Sequence, residues 1–120
     1  MTARVLIVDD LRPNIKMLEA TLLAEYFEVV SATTGREALT LCQDGKCDIV
    51  LLDVVMPGLD GIELAKRAAD LSPALKIMFI TGFAAVALNA DSAAPKHAKV
   101  LSKPVHLRDL VNEVHKMLAA

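Results

Sequence analysis

The feature that most constrains this chain is an alternation of period. Short apolar runs that fit a strand recur five times, separated by stretches whose apolar residues fall at helical spacing. Val5–Val8 is a β-branched run closed by Asp9-Asp10. Pro13 then sits where a first helical turn tolerates proline, and Ile15, Leu18, Leu22 and Leu23 follow as an apolar helical face. Phe27–Val30 reads as the second strand. After Gly35, Ala38, Leu39, Leu41 and Cys42 form the next helical stripe. Asp48–Leu52 is an apolar strand that runs into Asp53. Pro57, Gly58 and Gly61 mark the loop beyond it. Ile62, Leu64, Ala65 and Ala68 predict a third helix that stops near Ser72-Pro73. Leu75–Ile80 is a fourth strand ending at Thr81-Gly82. Phe83–Ala94 predicts a short helix, followed by a loop through Pro95. Lys99–Ser102 is the fifth strand, leading to Lys103-Pro104. Leu107, Leu110, Val111, Val114, Met117 and Leu118 predict a final amphipathic helix.

Five βα units without a linker or repeat predict one domain over residues 1–120. Right-handed crossovers place helices on both faces of a parallel sheet. The expected fold is therefore α/β, a three-layer, doubly wound (βα)5 flavodoxin-like sheet of order 2-1-3-4-5. Composition agrees. The hydrophobic fraction of 54% suits central strands that are apolar on both faces. Runs such as Ile77–Ile80 are far too short to cross a bilayer. No charged-then-apolar leader opens the sequence, so a cytoplasmic chain with no membrane partner is expected. A formal charge of −2 offers no basic footprint for nucleic acid. Cys42 and Cys47, without a nearby His, do not make a zinc site and are expected to be reduced thiols. His97, His106 and His115 follow no metal-ligand spacing and are expected at the surface.

In such sheets ligands bind beyond the carboxyl ends of the strands. Strand one ends in Asp9-Asp10, strand three in Asp53, strand four in Thr81 and strand five in Lys103. The expected strand order lets all five side chains converge on one rim. Three carboxylates crowded together repel one another, and a divalent cation removes that difficulty. Magnesium takes oxygen ligands and suits one or two carboxylates plus a phosphoryl oxygen. Lys103 adds a movable positive charge and Thr81 a hydroxyl donor. These parts suit phosphoryl transfer, where positioning and charge neutralisation do most of the catalysis. A carboxylate can itself be the acceptor, forming an acyl phosphate. Taken singly, each residue has a plainer explanation. The acidic pair could cap a helix, Thr81 could cap the next one, and Lys103 could be a solvated loop lysine.

At these residues the sequence resembles the response-regulator receiver family along its whole length. The motifs are Val5-Leu-Ile-Val-Asp-Asp10, Leu51-Leu-Asp-Val-Val-Met-Pro-Gly-Leu-Asp-Gly61, Ile80-Thr-Gly82 and Leu101-Ser-Lys-Pro104. The resemblance implies that Asp53 is phosphorylated, and that Asp9, Asp10, Asp53 and the carbonyl of Val55 hold magnesium, some through water. It implies that Thr81, Lys103 and the backbone N–H groups of Val54 and Gly82 bind phosphoryl oxygens, and that the peptide before Pro104 is cis. It also implies a phosphohistidine donor on a histidine kinase or histidine phosphotransfer protein. From Ala74 onward the chain resembles single-domain receivers tied to regulated proteolysis by ClpXP. Through about Gly61, including Ala24-Glu-Tyr26, it resembles the first receiver of a diguanylate cyclase. Hybrid origin and ordinary divergence both accommodate that pattern. In the ClpXP-linked relatives a terminal Leu-Ala-Ala, as at Leu118–Ala120, is a degradation signal; a frayed helix end is the plainer alternative.

The sequence departs from the family at Val100, where many receivers carry the Tyr or Phe that turns inward on activation. The Thr-to-aromatic switch cannot operate there. Val55 and Phe83 occupy positions that flank the hydrolytic water in receivers. Both are apolar, which implies slow dephosphorylation. The resemblance places donor docking near Arg12, Pro13, Asn14, Met17, Val105 and His106, and output on the face built from the Phe83–Ala94 helix, the fifth strand and the last helix.

Three other functions stand beside this one. An aspartyl-phosphate phosphatase would place a second Asp two residues after the nucleophile, where this chain has Val55. A flavodoxin-type cofactor binder would meet repulsion between its phosphate and Asp9-Asp10. A receiver-like module that is never phosphorylated would have no need of all five side chains.

Overall fold

A computed structural model describes residues 3–43, 47–52, 61–81, 99–102 and 106–119. The five strands are β1 (Arg4–Val8), β2 (Glu28–Ala32), β3 (Ile49–Leu52), β4 (Lys76–Thr81) and β5 (Lys99–Ser102). The helices are α1 (Arg12–Leu23), α2 (Gly35–Gln43), α3 (Gly61–Leu71) and α4 (Leu107–Ala119). All strand pairs are parallel and the order is β2-β1-β3-β4-β5, as the alternation predicts. The short helix expected within Phe83–Ala94 lies outside the described residues.

Strand periodicity divides the core in two. Leu6, Val8, Val50, Leu52, Ile77 and Phe79 face one side, against Ala38 and Cys42 of α2 and Leu64, Ala65 and Ala68 of α3. Val5, Ile7, Ile49, Leu51, Met78 and Ile80 face the other, against Ile15 and Leu22 of α1 and Leu110 and Val114 of α4. β3 lies at the centre with all four residues buried, whereas edge strand β2 is only partly covered. Truncating a fully buried leucine such as Leu51 costs about 2–5 kcal/mol.

Two expectations need correcting. Phe27 is not in a strand, because its N–H closes the end of α1 by donating to the carbonyl of Leu22 at 3.2 Å. Tyr26 donates to the carbonyl of Leu23 at 3.0 Å. Together these bonds form a Schellman closure, with Tyr26 at φ 67° in the position that usually takes glycine. β2 accordingly starts at Glu28 and extends to Ala32. Leu23, expected on the apolar face of α1, is instead half exposed. The helix is apolar on much of its circumference, so spacing alone does not select the buried side.

α2 opens with a reciprocal cap. The Thr34 hydroxyl accepts from the Glu37 N–H at 3.2 Å, and the Glu37 carboxylate accepts from the Thr33 N–H at 3.0 Å. Cys42 and Cys47 are both buried in the α2/α3-side core. Burial, with a smaller contribution from neighbouring Cys47, pushes the Cys42 thiol up to about 11.

Candidate functional site

β1 delivers Asp9 to the carboxyl edge of the sheet. The Asp9 N–H extends the ladder one step past the strand by donating to the carbonyl of Ala32 at 3.2 Å. The side chain is 7% exposed and is the only buried polar or charged one among the described residues. A buried carboxylate is costly unless hydrogen bonds, a counter-charge or a metal compensate it. Here Oδ1 accepts from the Leu11 N–H at 2.9 Å and Oδ2 from the side-chain amide of Asn14 at 3.3 Å. Both donors are neutral, and Asp9 has no cationic partner among the described residues. A carboxylate offers about four lone-pair positions, so it keeps capacity for further ligands.

The helix-cap explanation of the acidic pair does not hold. The residue at the N-cap of α1 is Leu11, and no side chain caps it. Proline within the first turn spares one amide that would otherwise need a partner. Asp10 is exposed beside Asp9. The pair therefore sits ahead of the helix, at the mouth of the sheet edge.

The strand register carries this edge across the molecule. Val8, immediately before Asp9, pairs with Ala32 and with Leu52. Leu52 is the residue before Asp53. Thr81 closes β4 and pairs with Ser102, the residue before Lys103. Asp53, Val54, Val55, Gly82, Lys103 and Pro104 lie outside the described residues. Val100, at the family's aromatic position, is half-buried, pairs with Phe79 and packs on the α2/α3-side core. Phe83, Val105 and His97 also fall outside the described residues.

Of the expected donor-docking residues, Arg12, Pro13 and Met17 are exposed on α1, Asn14 is half-buried, and His106 is exposed before α4. His115 is exposed as expected, and its ring also packs on Phe27 at 5.1 Å between centroids. Asn14 as a partner of Asp9 was not legible from composition or period. The available signal was an amide five residues past a strand-ending Asp, on the first turn of a helix.

The described residues contain no group of three or more His, Cys, Asp or Glu placed to hold a metal. Asp9 and Asp10 nevertheless supply the hard oxygen donors that magnesium selects. None of the helices among the described residues is long and apolar enough to cross a membrane.

Residues 5–115 match the family described as the response regulator receiver domain. The chain belongs to the response-regulator receiver family. It is 52% identical over 117 residues to the response regulator receiver protein CpdR of Brucella abortus, covering 98% of each chain. It is 47% identical over 70 residues to the response regulator PleD of Caulobacter vibrioides, covering 58% of this chain and 15% of PleD. Similarity to CpdR thus runs nearly end to end, beyond the half in which the motifs resemble the ClpXP-linked receivers. A solved response regulator of Chloroflexus aurantiacus, 32% identical, superposes with a TM-score of 0.86 over the whole of both chains. As a receiver, the chain is a phosphoacceptor in a two-component phosphorelay. The chemistry of a receiver is performed on itself, which separates it from phosphatases and cofactor binders.

Proposed function

We propose that Asp53 is the phosphoryl acceptor of this receiver and that the carboxyl edge of the sheet is its phosphotransfer site. The observation that carries this reading is the buried Asp9 carboxylate at that edge, held by neutral donors and without a described counter-charge. A fold that served only stability would place a neutral or paired residue there. Asp9, Asp10, Asp53 and the carbonyl of Val55 would hold magnesium. When bound, the ion supplies positive charge against the acidic cluster and the phosphoryl oxygens.

The donor is a phosphohistidine on a histidine kinase or histidine phosphotransfer protein. The Asp53 carboxylate attacks phosphorus, the nitrogen–phosphorus bond breaks, and the imidazole leaves as an acyl phosphate forms. Lys103 offsets the negative charge of the phosphoryl oxygens. Thr81 and the N–H groups of Val54 and Gly82 donate hydrogen bonds to them. Val55 and Phe83 carry no group able to activate water, so the acyl phosphate turns over slowly. Phe83→Glu is expected to shorten its lifetime about tenfold or more.

The state of Asp53 is reported through a protein surface of this cytoplasmic domain, with control of ClpXP-dependent proteolysis as the output. Val100 rules out the aromatic switch, so the signal leaves by another rearrangement of the same face. The deciding experiment is intact-mass measurement after incubation with acetyl phosphate and magnesium. One phosphoryl adduct is expected on the native chain and none on Asp53→Asn. Absence of an adduct on both chains, together with no beryllofluoride binding, would make this a receiver-like module that is never phosphorylated.

A further inference from the structure

We propose that Asn14 is a positioning residue of the phosphotransfer site and that it acts through Asp9. The inference rests on the reading of the carboxyl edge given above. Asp9 directly follows β1, and its carboxylate is free to rotate about a broad terminal torsion. The Leu11 N–H holds Oδ1 at 2.9 Å, which fixes one oxygen but leaves a pivot. The Asn14 amide holds Oδ2 at 3.3 Å and removes that freedom. Asn14 can reach it because α1 begins at Arg12 and its first turn folds back over the strand end. The Asn14 N–H donates to the carbonyl of Leu11 at 3.1 Å, which anchors that turn. With one donor on each oxygen, the carboxylate is held in one orientation and keeps unused lone pairs that a cation can take.

Asn14 also contributes no charge. A lysine here would neutralise Asp9 and compete with the cation, and an acid would add to the repulsion. An amide supplies a donor alone, which is what orienting a ligand carboxylate requires. Groups that orient metal ligands in this way typically govern affinity by about 10–100-fold.

The test is magnesium titration of the full chain by calorimetry, with the native protein, Asn14→Leu, Asn14→Gln and Asp53→Asn compared. Asn14→Leu is expected to weaken magnesium binding about tenfold, while thermal unfolding without magnesium stays close to native. Asn14→Gln retains the amide and is expected to recover part of the loss. Asn14→Leu binding magnesium within twofold of native would overturn the proposal, as would an equal loss in Asn14→Gln. Should Asn14→Leu fail to fold, the native chain still decides. The side-chain amide signal of Asn14 in nitrogen–proton correlation spectra is expected to shift as magnesium binds, and an unmoved signal contradicts the role. If the native chain neither binds magnesium nor takes phosphate from acetyl phosphate, the site reading fails and this inference fails with it. If only the Asn14 arms fail, the site reading stands.

Discussion

The two edges of the sheet carry charge in opposite ways. At the amino edge, charges of opposite sign meet. Arg4 of β1 faces Glu28 of β2 at 3.3 Å, and Lys99 of β5 reaches Glu113 of α4 at 3.7 Å. Asp48, just before β3, accepts the Arg4 N–H at 2.8 Å, and its own backbone serves both neighbouring strands. The exception is Arg4 Nε, buried without a hydrogen bond. At the carboxyl edge, acids gather instead. Asp9 is buried with amide donors only, and Asp10 stands next to it. Paired charges of the first kind are worth little individually and simply satisfy a strand end. Like charges gathered on a rim cost stability, and a fold keeps that cost where it is functional.

Four perturbations set the two edges apart. The largest effect is expected for Asp9→Asn, which should slow phosphoryl uptake from acetyl phosphate about 100-fold. Its unfolding temperature without magnesium should be no lower than native. A clear drop would mean that Asp9 serves the fold, as the amino edge does. Asp48→Ala is the mirror experiment. Leaving the Arg4 N–H without its partner should cost about 1 kcal/mol in urea unfolding, with the rate of phosphoryl uptake unchanged.

An effect of comparable size is expected from pH. Cys42 and Cys47 bracket the α2–β3 connection, on the amino side of the core. An unfolded Cys42 loses its proton near 9.0, while the folded one holds it to about 11. Between those values the folded chain binds more protons than the unfolded one, so stability falls as pH rises through that window. The loss is on the order of 1–2 kcal/mol. It should shrink in Cys42→Ala relative to that variant's own stability at neutral pH, and an identical alkaline slope in the two chains would remove the thiol from the account. The smallest effect belongs to Tyr26, 87% exposed in a left-handed conformation. Tyr26→Gly relieves a cost of about 1–2 kcal/mol and adds unfolded-state freedom worth somewhat less. A gain of up to about 1 kcal/mol in thermal unfolding is expected, with no change in phosphoryl uptake.

The comparison also marks what the sequence makes legible. Period alone yields the five parallel strands, with β5 at Lys99–Ser102 as expected. Acids placed directly after apolar strands single out the carboxyl rim, because a buried run ending in Asp is a pattern that packing does not require. Phe27 is misread because its role depends on how α1 terminates, and a tyrosine in a glycine position hides that closure. Leu23 is misread because α1 is apolar on too many sides for spacing to choose among them. The Asn14–Asp9 contact depends on the phase of a helix relative to the strand before it, which neither period encodes. The amino-edge pairs depend on strand register in the same way: Arg4 and Glu28 are far apart in sequence and become neighbours only when β1 and β2 align.

The most direct test of the central claim is the initial rate of phosphoryl uptake as a function of magnesium concentration, measured in parallel for the native chain, Asp9→Asn and Asp48→Asn. The account predicts that Asp48→Asn follows the native magnesium dependence, while Asp9→Asn loses it together with most of the rate. Native magnesium dependence in Asp9→Asn, or its loss in Asp48→Asn, would contradict the division of the molecule into a structural edge and a chemical one.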